Sequence, residues 1–210
     1  MESILFLVLA LVFIVLFYFA NGRNNYVLII NILWAFFIGS LSLMGIFGSN
    51  PPVFIIAIVG TVIVNVIIFK KIRLRHLNLP LLLTIQSLRI VVELFLYKLY
   101  LDKMIPKLMT FEGLNYDIVV GAFAVLFLVI SIFRKSILRN WIFVLWNYAG
   151  IISLFSIVTI GVLSSPVPIQ MFEFNQPNVA VLVFPYALLP TIIVPIAVVS
   201  HLLMLSARNR

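Results

Sequence analysis

Charged residues and cysteine are the scarce components of this sequence. Of its 210 residues, 10% are charged and 64% are hydrophobic, whereas soluble domains average about 25% charged and about 45–50% apolar residues. The polar side chains are too few to cover a water-soluble globule. We therefore predict an integral membrane protein whose apolar side chains face lipid. The absence of cysteine excludes disulfides, thiolate metal ligands and cysteine nucleophiles.

Short catalytic motifs are also missing. The sequence contains no Gly-x-Ser-x-Gly, no His-Glu-x-x-His, no phosphate-binding glycine loop and no dinucleotide fingerprint. Its two histidines, His76 and His201, are too few for a zinc or haem site without cysteine. We predict no catalytic residue, metal or cofactor, and we expect His201 to be an interfacial or hydrogen-bonded residue.

Seven apolar runs fill most of the chain. Charged residues or turn signals bound them, and none shows the strict alternation of a barrel strand. A membrane helix needs about 20 residues, and a helix satisfies its own backbone groups within lipid. We predict one polytopic domain, an all-α bundle of about seven transmembrane helices at 3–20, 26–47, 53–69, 78–101, 118–133, 141–163 and 179–206. We expect the first run to be a retained helix, because Glu2 precedes it and Arg23 follows it.

The distribution of basic residues predicts the orientation. Ten of the fourteen lie in the first, third and fifth connections and the C-terminal tail: Arg23, Lys70, Lys71, Arg73, Arg75, Arg134, Lys135, Arg139, Arg208 and Arg210. Lys and Arg accumulate on the cytoplasmic side of membrane proteins. We therefore expect the N-terminus outside and the C-terminus in the cytoplasm.

Topology also accounts for the net charge of +8, so we predict no nucleic-acid partner. The cluster Lys70, Lys71, Arg73 and Arg75 is a candidate site for anionic lipid, although its topogenic role is the simpler interpretation. The absence of glycosylation sequons and long tails favours a bacterial plasma membrane, that is, a cell inner membrane.

A faint internal repeat links the second and sixth runs. Arg23-Asn24 precedes Asn31 by the same spacing at which Arg139-Asn140 precedes Asn147. The third and seventh runs also begin with similar Pro-containing segments. This pattern would fit two parallel three-helix repeats joined by the fourth helix, a 3+1+3 layout known in small transporters. A chance match among so many apolar residues is the alternative.

The fourth run carries the most informative polar residues. Arg89 lies near its centre, and Glu93 stands one helical turn away on the same face. Gln86 and Tyr97 extend that stripe in both directions. Ionisable residues at such depth are functional candidates. The alternative is a structural ion pair of Arg89 with Glu93, completed by hydrogen bonds from Asn31, Asn65 and Asn147.

Two further features concern the non-cytoplasmic side and the last run. The loops there contain Glu112, Asp117 and Glu173 among aromatic residues, which we interpret as a lid or partner surface, or as ordinary interfacial loops. A cation site is a weaker alternative because the spacing matches no established loop. The last run contains Pro185, Pro190 and Pro195, so we expect its helix to bend or unwind.

Our leading hypothesis is a transporter or binding protein for a small molecule or an ion. Arg89 would hold an anionic group or set the charge of Glu93, and Glu93 would bind the coupling proton or cation. Gln86 and Asn147 would supply hydrogen bonds. A structural or assembly subunit, in a homo-oligomer or a membrane complex, predicts instead a dry Arg89–Glu93 contact. A membrane-embedded enzyme acting on a lipid-like substrate predicts that Glu112, Asp117 or Glu173 converge beside a cavity mouth.

Overall fold

The computed structural model describes residues 2–208, and within that range the secondary structure is helical without strands. Arg210, which contributes to the predicted orientation, lies outside the described residues. The α-helices are α1 Glu2–Ala20, α2 Asn25–Leu43, α3 Ile46–Ser49, α4 Pro51–Lys71, α5 Leu79–Ser87, α6 Arg89–Leu101, α7 Asp117–Phe133, α8 Trp141–Leu163 and α9 Val194–Arg208. Short 3₁₀ turns occupy Leu74–His76, Lys107–Met109, Lys135–Arg139 and Ala180–Leu182, and a π-helix spans Leu189–Ile193.

Six helical stretches are long and apolar enough to cross a membrane: Glu2–Ala20, Asn25–Leu43, Pro51–Lys71, Leu79–Leu101, Trp141–Leu163 and Leu189–Ala207. The prediction of an all-helical fold with several membrane-compatible helices is thereby confirmed. The fifth predicted span corresponds to α7, which has 17 residues and is shorter than these six.

Asparagine side chains cap the N-termini of three helices. Asn24 accepts hydrogen bonds from two N–H groups in the first turn of α2. Asn78 does the same for the Leu81 N–H in α5, and Asn140 for the Ile142 N–H in α8. An asparagine cap satisfies N–H groups that have no partner within the helix. Polar residues in the connections therefore define where these apolar helices begin.

The two ends of the bundle differ in charge. At one end, Asn24 donates to the Lys71 carbonyl and the Asn78 N–H donates to the Ala20 carbonyl. We call this the basic end, because the first, third and fifth connections meet there. At the opposite end, Lys98 contacts both Glu2 and Asp102. The fold thus separates basic connections from exposed acids.

The repeat prediction has a local counterpart but no extended one. Asn31 and Asn147 each donate to the carbonyl four residues earlier in their own helix, and Asn24 and Asn140 each cap that helix. The third and seventh predicted spans differ, however, because α4 is helical from Pro51 whereas the last helix starts later. The 3+1+3 repeat therefore stays a prediction.

The last predicted span begins ten residues later than expected. Regular helix is replaced by turns around Pro185 and by the π-helix that contains Pro190. Proline lacks the N–H that an α-helix requires and clashes with the preceding turn. The expectation of an unwound helix is therefore confirmed at Pro185 and Pro190, whereas Pro195 lies in the first turn of regular α9. The predicted start at Val179 is wrong, since residues up to Leu188 form turns and one short 3₁₀ segment.

Irregular segments satisfy each other at the opposite end. The N–H groups of Val179 and Ala180 both donate to the Met104 carbonyl, at 3.0 and 3.1 Å. Gln176 Nε2 donates to the Ile105 carbonyl at 2.6 Å. Non-helical backbone is tolerated inside a membrane protein where other protein groups bond it. The connection 102–116 and the segment 164–188 can therefore lie against the helices.

Close packing of α7 on the fourth span fixes the position of α7. A Cβ atom added at Gly121 would lie 2.9 Å from Ile90 Cγ1 and 3.2 Å from the Ile90 nitrogen. Only a residue without a side chain fits there. The approach brings the first residues of α7 level with Arg89 and not with the end of α6.

We predict that Gly121→Ala destabilises the protein. Overpacking costs about 1–3 kcal/mol, and the higher helix propensity of alanine offsets at most about 1 kcal/mol. Thermal unfolding in detergent should show a lower midpoint. Gly48→Ala is the matched control, because no atom lies within 4 Å of its added Cβ. Equal midpoints for both variants would contradict the packing of α7 described above.

Candidate functional site

Arg89 occupies the centre of a buried polar cluster. It is the first residue of α6 and is 2% exposed. Its Nη2 atom forms an ion pair with Asp117, the first residue of α7. Its Nη1 atom donates to His201 Nε2 at 3.1 Å and to Gln86 Oε1 at 3.4 Å. Arg89 is therefore bound from three sides.

The expected partner of Arg89 was Glu93, and that expectation is wrong. Among the described residues, the ion pair of Arg89 is with Asp117, which comes from a different helix. An acidic residue at a helix N-terminus interacts favourably with the helix dipole, and α7 begins beside Arg89. Glu93 lies one turn further along α6 and finds another partner.

Asn115 holds Glu93 and connects it to Asp117. Its Nδ2 atom donates to Glu93 Oε1 and to the Met109 carbonyl. Its Oδ1 atom accepts from the Asp117 backbone N–H at 3.1 Å. Glu93 is completely buried, and its Oε2 atom has no hydrogen-bond partner among the described residues. One oxygen of this buried carboxyl group is thus available to a proton or a cation.

His201 joins the cluster from α9 and must be in one tautomer. A guanidinium group only donates hydrogen bonds, so His201 Nε2 accepts from Arg89. Nδ1 then carries the proton and donates to Asn147 Oδ1 at 2.9 Å. The imidazole is neutral in this arrangement. Of the two expectations for His201, the hydrogen-bonded one is confirmed, and the residue is fully buried.

Gly150 provides the space for the His201 ring. A Cβ atom at this position in α8 would overlap Nε2 and Cε1 of the imidazole. The Trp146 ring packs against the same imidazole edge-on, with centroids 5.0 Å apart. Helix α8 therefore positions His201 by shape as well as through Asn147.

Two further hydrogen bonds complete the cluster. Gln86 Nε2 donates to the Ala197 carbonyl in α9 at 2.8 Å, and Ser153 Oγ in α8 donates to Asp117. We call this set the buried polar network. Its members are Gln86, Arg89, Glu93, Asn115, Asp117, Asn147, Ser153 and His201. It connects α5, α6, α7, α8 and α9.

The network contains four of the five residues predicted for the binding site. These are Gln86, Arg89 and Glu93 on the fourth span and Asn147 in α8. Tyr97 is not among them: its hydroxyl donates to Glu112 Oε1 at 3.1 Å near the opposite end. Each helical turn beyond Glu93 moves a side chain about 5 Å further from the network, which explains the separation.

The predicted acids of the outer loops separate in the structure. Asp117 is in the network, whereas Glu112 is partly exposed and pairs with Lys107 at 3.3 Å. Glu173 is half-buried in the turn before Gln176, with a φ of 56°. The three carboxylates therefore do not converge. Asn31 and Asn65, the expected helix-to-helix partners, instead donate to carbonyls of their own helices.

Asn115 and Ser153 are network residues that were not predicted from the sequence. Asn115 stands two residues before Asp117 at the start of an apolar run, a position typical of residues that bond a helix N-terminus. This position before Asp117 was the feature of the sequence that could have identified Asn115. Ser153 carries no comparable signal, because a serine within an apolar helix usually bonds its own backbone.

Two cavities adjoin one side of the network. A cavity of about 40 Å³ is lined by Asp117 and by apolar residues including Met109 and Gly161. A larger apolar groove of about 340 Å³ runs between α4 and α8 along α9. Val158, Pro190 and Val194 line both. Asp117, whose side chain is 8% exposed, lines the small cavity, which shares these residues with the groove, and Arg89 and Glu93 line neither cavity.

Metal binding finds no support in the geometry of the described residues. Across 2–208, no group of three or more His, Asp or Glu side chains is placed to hold an ion. The network has two carboxylates and one imidazole, but Arg89 lies among them. The guanidinium group of Arg89 would repel a metal ion, and it already forms an ion pair with Asp117.

Comparison with known proteins yields one match. Residues 46–207 match the family model of a domain of unknown function, DUF8737. No curated protein and no solved structure matches the chain. The matched region contains every member of the buried polar network and begins after α2.

We predict that Asp117→Asn strongly destabilises the protein. The substitution removes the carboxylate that Arg89 contacts directly, while Glu93 is held by Asn115 and makes no ion pair with Arg89; breaking a buried pair costs about 3–5 kcal/mol. Asp102→Asn is the matched control, because Asp102 pairs with Lys98 on an exposed surface where ion pairs contribute little. Thermal unfolding in detergent should separate the two variants clearly. Similar midpoints would show that the Arg89–Asp117 pair does not hold the bundle together.

Proposed function

The chain belongs to the DUF8737 family, and we propose that it is a multi-pass membrane carrier for a small molecule or an ion. In this proposal the buried polar network is the binding site, and Glu93 is the carboxylate that binds and releases the coupling proton or cation. The supporting observations are the charge balance of the network, the helix irregularities around it and the cavity beside Asp117.

The charge balance carries the proposal. The network contains two carboxylates, Glu93 and Asp117, against the single guanidinium of Arg89. His201 is neutral because its Nε2 accepts a hydrogen bond from Arg89. With both carboxyl groups ionised, one negative charge would be in excess, and an unpaired charge away from water is costly. Binding of a proton or small cation at Glu93 Oε2, which has no hydrogen-bond partner among the described residues, would remove that excess.

Helix irregularities around the network support the same proposal. The fourth span is one helical stretch, Leu79–Leu101, with a local irregularity at Leu88 immediately before Arg89. Helix α7 starts beside Arg89, and the π-helix Leu189–Ile193 precedes α9. Transporters place their substrate and ion sites at such discontinuities near the bilayer midplane. The π-helix and the irregularity at Leu88 also provide places where the helices can bend during transport.

Each network residue has a distinct part in the proposed mechanism. Glu93 holds the exchangeable proton, and Asn115 couples it to Asp117, since the amide contacts both residues. Arg89 neutralises Asp117 while the site is empty of substrate. A polar group of the substrate reaches Asp117 from the small cavity, and the apolar groove beside that cavity admits an amphipathic or apolar molecule from the lipid.

The topology is part of the same proposal. We propose seven crossings with the N-terminus outside and the C-terminus in the cytoplasm, in a bacterial plasma membrane, with the 3+1+3 repeat as the underlying layout. The meeting of three basic connections at one end supports the orientation. The shared Asn caps of α2 and α8 support the repeat.

A structural or assembly subunit is the second candidate, because the central residues of the network are buried. Arg89 is 2% and Glu93 0% exposed. In that case the network only locks five helices together, and the apolar outer faces bind a second copy or another membrane protein. The membrane-enzyme alternative depends on converging outer acids, which the structure separates.

Proton binding at Glu93 can be measured without knowing the substrate. Proteoliposomes adsorbed on a solid-supported membrane are given rapid pH jumps, and the displaced charge is recorded. We expect a transient current in the wild type and its loss in Glu93→Gln. Glutamine keeps the oxygen that accepts from Asn115 but cannot exchange a proton.

Glu112→Gln is the control for this measurement, because it removes an exposed carboxylate of the opposite end. It should leave the current unchanged. A current of the same size in Glu93→Gln, or none in the wild type, would reject the carrier proposal and favour the assembly role.

The orientation can be tested with single cysteines, since the chain contains none. Ser136 and Asn175 are exposed residues at the basic and the opposite end, respectively. In intact bacteria a membrane-impermeant maleimide should label Asn175→Cys alone, and Ser136→Cys only after permeabilisation. The unmodified chain is the background control. Labelling of Ser136→Cys in intact cells would reverse the proposed orientation.

A further inference from the structure

A wide cavity opens at the basic end, away from the buried polar network. Its volume is about 930 Å³. The third connection borders it on one side and the 3₁₀ turn Lys135–Arg139 on the other. Met204 and Ala207 of α9 form part of its floor.

Cations dominate the rim of this cavity. Arg75, Lys135 and Arg139 line it, together with His76. All four are exposed, and no lining residue is acidic. In the described part of the chain, none of the three permanent cations takes part in a salt bridge. Their positive charge is therefore uncompensated by the protein.

The remainder of the lining suits an anion with an apolar attachment. Leu79 and Pro80, the first residues of α5, border the cavity, and the positive end of the helix dipole adds to the field of the cations. Leu77, Leu138 and Met204 supply apolar surface. Arg75 Nε donates to His76 Nε2 at 2.9 Å, which orients its guanidinium at the rim.

We propose that this cavity binds a phosphate-bearing anion through Arg75, Lys135 and Arg139. Guanidinium groups form paired hydrogen bonds with phosphate oxygens, and lysine adds a point charge. Either an acidic phospholipid headgroup or a soluble phosphate compound presents this chemistry. The cavity lies where membrane-compatible helices end, at the level expected for headgroups. The proposal does not depend on the carrier function.

The site differs from the anionic-lipid cluster suggested by the sequence. Of Lys70, Lys71, Arg73 and Arg75, only Arg75 lines the cavity. Lys71 Nζ lies over the Tyr26 ring, 5.4 Å from its centroid, and Lys70 borders the apolar groove. At the cavity, Arg75 is joined by Lys135 and Arg139, about 60 positions later in the chain, and not by its sequence neighbours Lys70, Lys71 and Arg73.

Native mass spectrometry of the detergent-solubilised protein tests the lipid source. Phosphatidylglycerol is added, with phosphatidylcholine as the zwitterionic comparison, and bound lipid is counted. The variant Arg75→Gln/Lys135→Gln/Arg139→Gln is compared with Lys70→Gln/Lys71→Gln/Arg73→Gln, which removes the same charge from the same end. We expect the first triple to lose phosphatidylglycerol binding by about tenfold or more, because each charge-assisted hydrogen bond contributes on that scale. The second triple should bind as the wild type does.

Calorimetric titration with inorganic phosphate tests the soluble source on the same proteins. Binding of phosphatidylglycerol without phosphate identifies a lipid headgroup site, and the reverse identifies a soluble ligand. Arg139→Gln alone provides a milder variant and should weaken whichever probe binds. The proposal is overturned if neither probe binds the wild type, or if both triples lose binding equally, which would indicate unspecific attraction to the basic end.

Discussion

The ion pair between Arg89 and Asp117 determines the level at which α7 packs against α6. Arg89 lies midway along the span Leu79–Leu101, so its counter-charge must reach the same depth. Helix α7 meets this requirement by starting beside Arg89 and packing through Gly121 against Ile90. A consequence is that the connection 102–116 runs back along the C-terminal half of α6. The carbonyl groups of Met104 and Ile105 are then bonded by residues 176–180, and the prolines that follow delay the start of the last helix further.

The second set of contacts turns this pair into a network. Gln86 and His201 bind Arg89 from either side and bond α9 and α8 in turn. Gly150 leaves room for the imidazole. Because Arg89 can only donate, each of these neighbours has to present an acceptor, which fixes His201 in its neutral form. Because Asp117 takes the ion pair with Arg89, Glu93 is held by Asn115 instead. The structural need to hold Arg89 and the proposed proton site on Glu93 therefore arise from one arrangement.

Exposed acidic and basic residues are concentrated at opposite ends of the molecule. Exposed acids gather with Lys98 and Lys107 at one end, whereas Arg75, Lys135 and Arg139 surround an acid-free cavity at the other. The two proposed sites are of opposite character. The network is buried and connected by hydrogen bonds, and the cavity is open and lined by positive charge. A variant at one site should consequently leave the other unaffected, which makes their roles separable.

Local features of the sequence determined the helical class, most helix positions and the common stripe of Gln86, Arg89 and Glu93 on the fourth span, and they account for the caps that the structure shows at Asn24, Asn78 and Asn140. These depend on apolar run length, on side chains bonding their own helix turn and on the depth of a charge within a run, all of which are short-range properties. Only the tertiary structure decided that Arg89 pairs with Asp117, that Asn115 bonds Glu93 and that His201 is buried. Helical spacing shows which residues are adjacent on one helix, but the depth of Asp117 depends on the fold of the connection before it. That fold is set by contacts with a segment more than 60 residues away, and no local pattern encodes it.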